Sequence, residues 1–515
     1  MILDETPDRL GPLTGPAAAA LSELAAADAV ARAWAADHTL WRDDPTELAD
    51  RLGWLTVVPD MTAHLDDIAA RCAGLAAGVD HVLLAGMGGS SLFPEVVARS
   101  GATPAGAPSL QVLDTTDPAA VARFDAELPA ERTLVVAASK SGTTLETRSH
   151  LAWAWGRHPD PGRFAVVTDP GSELAALAAE RGFAATFENR PDIGGRYSAL
   201  SLFGVVPALL AGADVGGLLA SASAMSERLR AAVAANPAAR LAAAVAAGVR
   251  EGRDKLTVVV PNAQATFGLW LEQLVAESTG KDGTGVVPVV GEPLGAPESY
   301  GDDRLFVALG DGTHPDELAG LAAAGHPVVV LPFGGELVDL GAQVMLWEMA
   351  TALVGVLLGI QPFDQPDVAA AKSATAAVLA DGLPDVDVTP LDDLLADVGP
   401  GDYLAIQAFV DPADPVVGRI ERARVALRDR LRVATTVGLG PRFLHSTGQL
   451  HKGGPATGVF VQIVAGADED VPIPGADYGF AALERAQADG DLLTLLDRKR
   501  RVGRVRLDEL LEVTR

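Results

Sequence analysis

At 515 residues, 49% hydrophobic and 21% charged, the chain is too long for one ordinary core, and its length sets a prior of about two to four domains. Its 68 acidic side chains against 40 basic ones leave a formal net charge of −28, a surface that repels nucleic acid and anionic membranes and excludes both as expected partners. The single cysteine, Cys72, excludes an internal disulfide framework and fits a reducing compartment.

The start, MILDETPDRLGP, is acidic and has no apolar h-region, so no signal peptide is expected and the location is expected to be cytoplasmic. Residues 1–75 read as an N-terminal helical segment, since GPAAAALSELAAADAVARAWAAD is Ala-rich with apolar residues at helical spacing. Over 76–215 the pattern changes. HVLLAG, LQVLDTT, TLVVAAS and FAVVTDP are short apolar strands, with helical segments such as SSLFPEVVARS and GSELAALAAERG between them. Continuously apolar strands alternating with helices imply a buried parallel sheet covered on both faces. A second unit of similar plan, 216–385, opens on Ala-rich helices and holds the strands KLTVVVP, RLFVALG and HPVVVLPF. Its apolar run MATALVGVLLGI, at about a dozen residues, is expected to be too short to span a bilayer. A linker rich in Asp, Pro and Leu near 380–401 precedes a C-terminal α/β piece, 386–515, with YLAIQAFV and GVFVQIVAG as strands. The expected fold is therefore α/β: two doubly wound parallel-sheet domains, an N-terminal helical segment and an appended C-terminal α/β piece.

Several turns carry chemistry. In LLAGMGGSSLF a strand ends and Gly88, Gly89, Ser90 and Ser91 turn into a helix, where glycines admit a close ligand and free N–H groups face it. A ligand-free tight turn reads equally well, and the spacing does not fit the dinucleotide fingerprint. In VVAASKSGTTLETRSH, the hydroxyls of Ser139, Ser141, Thr143 and Thr144 and the charge of Lys140 exceed what one helix cap needs, and point to phosphate. GGRYS presents Arg196 behind two glycines, either inward or as a surface turn. In LWLEQLVAESTGK, Gln273 and Glu277 are four apart and share a helix face, with Glu272 and Lys281 on neighbouring faces. Glu277 falls near that helix's C-terminus, where the dipole is unfavourable to a carboxylate; a general base or a solvated glutamate both fit. FDQPDVAAAK holds Gln365 and Lys372, and LHSTGQLHKGG holds His445 and His451, whose imidazoles can move protons between oxygens. No His-rich or Cys cluster at metal spacing and no nicotinamide fingerprint is evident, so neither metal nor cofactor is expected.

Taken in order across about 80–375, GMGGSS, SKSGTT, GGRYS, EQLVAESTGK and FDQPDVAAAK together resemble the glucose-6-phosphate isomerases, a family of two-domain sugar-isomerase (SIS) architecture. The resemblance implies sugar-phosphate contacts at Ser90, Ser139, Lys140, Ser141, Thr143 and Thr144. It places Gly89, Gln273, Gln365 and His451 among the substrate-facing residues. Glu277 would be the base, Arg196 would hold the enediolate charge, and Lys372 would assist at the sugar ring. The chain departs from the family in three ways. Asp367 and Ala369 stand where the lysine motif commonly has Gly and Glu. No histidine occurs in GEPLGAPESYGDD, where the family usually has one; the similar histidine segment lies after the lysine motif instead. The ring-opening role therefore falls on His445, which precedes the S-x-G-Q pattern, with His451 as runner-up. This order resembles an actinobacterial-type branch, or the isomerase half of transaldolase–isomerase fusions. The implied activity is interconversion of glucose 6-phosphate and fructose 6-phosphate through a cis-enediolate, by a homodimer whose partner molecule is the hexose phosphate. The rival readings are a non-catalytic SIS-type sugar-phosphate sensor and an isomerase that also accepts mannose 6-phosphate.

Overall fold

The computed structural model describes residues 9–101, 104–366, 368–382, 386–466 and 469–514, with the side chains of 368–372 and 381 outside the described set. Among the described residues the strands form three sheets, parallel throughout. The first sheet holds β1 (His81–Gly86), β2 (Ser109–Leu113), β3 (Thr133–Ala138), β4 (Phe164–Thr168) and β5 (Ala185–Glu188), in the order β2-β1-β3-β4-β5. The second holds β6 (Lys255–Val259), β7 (Val287–Val290), β8 (Arg304–Leu309) and β9 (Val328–Leu331), ordered β7-β6-β8-β9. The third holds β10 (Tyr403–Phe409), β11 (Ala434–Leu439), β12 (Gly458–Val464) and β13 (Arg501–Arg504), ordered β11-β10-β12-β13. The C-terminal region, expected as an appended piece, is thus a third doubly wound unit with the same strand order as the second.

In each sheet the direction of winding reverses between the first and third strands. In open α/β sheets the crevice outside that reversal, at the carboxyl ends of the strands, is where ligands bind. Register makes the crevice concrete in the first sheet. β1 and β3 pair with Gly86 opposite Ala138, so the two strands end level and their following turns emerge side by side.

Alternating strand residues divide the core. Val82, Leu84, Leu134 and Val136 face Phe93 and Val97, and the same core runs on to Leu256, Val258 and Val307 of the second sheet. Leu83, Val135 and Ala137 face the other way, against Phe124, Leu151 and Trp153, and this face is closed by Ile473, Phe480 and Leu483 from the C-terminal region. Val287 and Val289 pack on Tyr403, Ala405 and Phe460 of the third sheet. The C-terminal unit is therefore welded to both earlier ones by apolar burial.

Two expectations change. Strands β5, β7, β11 and β13 escape the sequence pattern, and all four lie at sheet edges. Edge strands tolerate what a central strand does not: Pro288 within β7, Thr and Gly in β11, two arginines in β13. The apolar run judged too short to span a bilayer belongs to a longer helical stretch, Leu337–Leu358, whose 22 residues are long and apolar enough by composition. It is a core helix, with 89% of its most apolar window buried inside the protein. A helix apolar on all sides has no solvent face to present.

Candidate active site

The Gly88–Ser90 turn that follows β1 is a meeting point of distant segments. A Cβ on Gly88 would stand 2.7 Å from the His445 carbonyl and 2.8 Å from Gln273 Nε2, and Gly88 itself has φ +55°. A Cβ on Gly89 would stand 1.9 Å from the Gly195 carbonyl. The glycines are thus required by backbone approaching backbone, and the turn locks against the Gly195–Tyr197 turn and the His445 segment. Ser90, half-buried, stands at its end.

Beside it, residues 139–144 leave β3 and open the helix Leu145–Arg157. The Ser139 hydroxyl bonds Thr144 Oγ1 at 2.9 Å and accepts from Gly142 N at 3.1 Å, which shapes the turn. Ser141 and Thr143 hydroxyls, 2.8 Å apart, are exposed at its rim. Lys140 is placed differently from a free phosphate-binding cation. Its Nζ pairs with Asp169 and donates to the Pro191 carbonyl at 2.7 Å, so its charge is largely answered within the protein. Burial pushes the Asp169 pKa up against the opposing pull of Lys140.

The helix Phe267–Thr279 delivers Gln273 and Glu277, both buried and, four apart, on one face. Gln273 Nε2 donates to Glu277 Oε2 at 3.0 Å and to the His445 carbonyl at 2.9 Å, while its Oε1 is buried without a partner among the described residues. Arg196, 4% exposed, lies with Nε 3.3 Å from Glu277 Oε2. Its other nitrogens donate to the carbonyls of Glu277, Pro362, Phe363 and Asp364. Residues 361–364 are clasped from a second side by Lys281, whose Nζ donates to the Gln361 and Asp364 carbonyls at 2.6 and 2.7 Å and pairs with the Asp364 carboxylate at 2.6 Å. Burial, then the nearby charge of Arg196, pushes the Lys281 pKa down to about 7 against the pull of Asp364.

His445 closes the group from the third unit. It ends the Arg442–His445 turn, and its Nε2 is 2.8 Å from Glu146 Oε1. Glu146 lies in the first turn of the helix that the 139–144 loop opens, so the loop and the histidine share one anchor. The same Glu146 oxygen accepts from Gln487 at 2.6 Å, and Gln487 Oε1 accepts from Thr116 Oγ1 at 2.6 Å. Burial pushes the Glu146 pKa up, but the His445 charge and hydrogen bond outweigh it and hold it down to about 2. His451 is instead turned into the third unit, 4% exposed, packed on Phe460 and 3.2 Å from Gln407 Nε2, and burial keeps its imidazole well below the usual pKa.

Gln365 follows the clasped segment and is exposed. Lys372 lies on the helix Val368–Asp381, but its side chain, like Asp367, lies outside the described residues. The structure therefore brings together Gly89, Arg196, Gln273, Glu277 and His445, and stands the Ser139–Thr144 turn beside Gly88–Ser90. Glu146, Gln487 and Thr116 were not singled out from the sequence. Glu146 reads there as an ordinary acidic residue in a helix's first turn, and only its burial marks it.

The phosphoglucose isomerase family profile matches residues 54–291, a span that holds both glycine turns, the 139–144 loop and Glu277. The curated glucose-6-phosphate isomerase of Rubrobacter xylanophilus is 31% identical over 392 residues, covering 64% of this chain and 90% of that protein. That of Thermosynechococcus vestitus is 33% identical over 347 residues, covering 58% and 66%. Among solved structures, a hypothetical protein from Thermus thermophilus superposes with a TM-score of 0.61 at 25% identity, covering 72% of this chain and 99% of that one. A glucose-6-phosphate isomerase from Chlamydia trachomatis shares the fold with a TM-score of 0.60 at 20% identity, covering 71% and 86%. Matched along nine-tenths of the Rubrobacter protein, with the profile spanning its glycine turns and buried glutamate, this chain belongs to the phosphoglucose isomerase family.

Proposed function

We propose that the chain is a glucose-6-phosphate isomerase whose base is Glu277 and whose ring-opening histidine is His445. The observation that carries this reading is the bridge made by Gln273, whose one amide nitrogen holds both the Glu277 carboxylate and the His445 backbone. The Glu277 carboxylate and the backbone of His445 thus share one hydrogen-bond donor, although 168 positions separate them in the chain.

The phosphate sits in the crevice between β1 and β3, on Ser90 and the hydroxyls and N–H groups of 139–144. Held by its non-reacting end, the sugar is oriented before chemistry begins. His445, with Lys372 assisting, moves a proton between O5 and O1 to open the ring. The Glu146 carboxylate stabilises the imidazolium formed on the way. Glu277 then takes the C2 proton and returns it to C1. In that step the negative charge passes from the Glu277 carboxylate to the enediolate oxygens. Arg196, which faces Glu277 in the resting protein, is already in place to answer it without reorganisation. The buried Gln273 Oε1, free of any described partner, is suited to accept from a sugar hydroxyl. The working unit is a cytoplasmic homodimer.

Glu277→Gln keeps the shape and the Gln273 contact but removes the base. It is expected to lower kcat by about a thousandfold, within the range for loss of a positioned proton-transfer group, while fructose 6-phosphate still binds. A coupled assay for each sugar phosphate, with equilibrium binding alongside, reads both; near-normal turnover overturns the assignment.

A further inference from the structure

Behind Arg196 and Glu277 lies a second set of buried polar groups that the reaction above does not use. Glu348, on the helix Leu340–Leu358, is 0% exposed, and neither of its carboxyl oxygens has a hydrogen-bond partner among the described residues. Burial alone pushes its pKa well above the usual carboxylate range. Burial favours its neutral acid form, which has one O–H to donate and a carbonyl to accept.

Two other buried hydroxyls share this condition. Tyr197 OH and Ser278 Oγ also have no described hydrogen-bond partner within bonding distance. The three groups are neighbours. Burial pushes the Tyr197 pKa up, against the Ser278 hydroxyl facing the phenol and the Arg196 charge, with Glu348 and Glu277 adding smaller upward contributions. The Tyr197 ring is held between Trp54 and Phe363, with ring centroids 5.2 and 5.1 Å away, so its hydroxyl has a set direction. In the chain Tyr197 directly follows Arg196, and Ser278 directly follows Glu277.

We infer that Glu348 is a positioning residue of the isomerase site, fixing the Arg196 turn and the Glu277 helix through hydrogen bonds to the Tyr197 and Ser278 hydroxyls. Arg196 and Glu277, on the elements it would hold, already pair with each other, so Glu348 acts by geometry and not by charge. Desolvated polar groups are costly when unpaired, and hydrogen bonds among these three would relieve them together.

The inference rests on the reading of Arg196 and Glu277 given above, and its test separates the two. Full-length wild type, Glu348→Gln, Glu348→Met and Glu277→Gln are compared for kcat, KM, Tm and pH profile. Glutamine offers a donor and an acceptor like the neutral acid, so Glu348→Gln is expected to keep kcat within about threefold and the pH profile unchanged. Methionine suits an apolar helix, so Glu348→Met is expected to lose about tenfold or more in kcat at unchanged KM, with Tm equal or higher. Wild-type kcat in Glu348→Met overturns the inference. So does an equal loss in both Glu348 variants, or a loss in Glu348→Met that follows a fall in Tm. The infrared carbonyl band of a protonated carboxyl, present in wild type and in Glu277→Gln but missing in Glu348→Gln, supports it independently of turnover. Absence of that band in wild type overturns it, whereas normal turnover in Glu277→Gln overturns only the site assignment.

Discussion

Glu146 carries two loads with one side chain. It sits in the first helical turn after the phosphate loop and holds His445 through its carboxylate. Its pKa, near 2 in the folded chain, lies below the value of an unfolded glutamate. A depressed carboxylate contributes stability that is present above the unfolded pKa and lost as pH falls toward the folded one. Between about pH 4.5 and 2 the wild type is therefore expected to lose Tm more steeply than Glu146→Gln, which thermal unfolding across that range will show. The same scale separates the two histidines. His445→Ala is expected to lower kcat about a hundredfold or more, as for removal of a general acid–base group. His451→Phe, placed among Phe443 and Phe460, is expected to leave kcat within about threefold, since substitutions away from the reacting atoms act mainly on stability. Equal losses in both would return the ring-opening role to an open question.

The turns are where elements meet, and their glycines are contacts. Gly89 lies against Gly195 so closely that any side chain must push two turns apart. Gly89→Ala is expected to cost about 1–3 kcal/mol, as over-packing does, and to lower kcat together with Tm because Arg196 rides on the displaced turn. Thermal unfolding and turnover measured on one preparation check the coupling; loss of neither would mean that the turns yield freely. At this scale the sequence was informative where strands are buried on both faces. HVLLAG, TLVVAAS and YLAIQAFV are continuous apolar runs, and β1, β3 and β10 are central strands. ATFE and RVGR are not such runs, and they form β5 and β13 at edges, where half the hydrogen-bonding groups of the strand have no partner strand to satisfy. Lys140 was legible as a cation in a phosphate loop, but its pairing with Asp169, on the loop after β4, was not.

Across the whole molecule the third unit is both scaffold and supplier. Ile473, Phe480 and Leu483 close one face of the first sheet, and Tyr403, Ala405 and Phe460 cover β7 of the second. A chain ended after residue 385 would expose both surfaces. It is expected to aggregate or unfold, whereas full-length His445→Ala keeps a wild-type far-ultraviolet spectrum and Tm within a few degrees of wild type. Solution scattering and thermal unfolding distinguish the two losses; a folded, monodisperse 1–385 chain would show that the third unit only delivers its histidine.

What the sequence by itself determined is what short stretches can encode: buried parallel strands, glycine and hydroxyl turns at their ends, Gln273 and Glu277 one helical turn apart, and the order of the motifs. What only the tertiary structure decided is which distant groups face one another. His445 rather than His451 stands beside Gln273 because the third sheet packs on β7 and turns the Arg442–His445 segment toward Gly88. Glu146 belongs to the histidine, and Tyr197, Ser278 and Glu348 to one buried cluster, for the same reason. Such contacts are set by apolar faces closing over long loops, and a contact of large sequence separation leaves no periodicity or spacing in the chain to announce it.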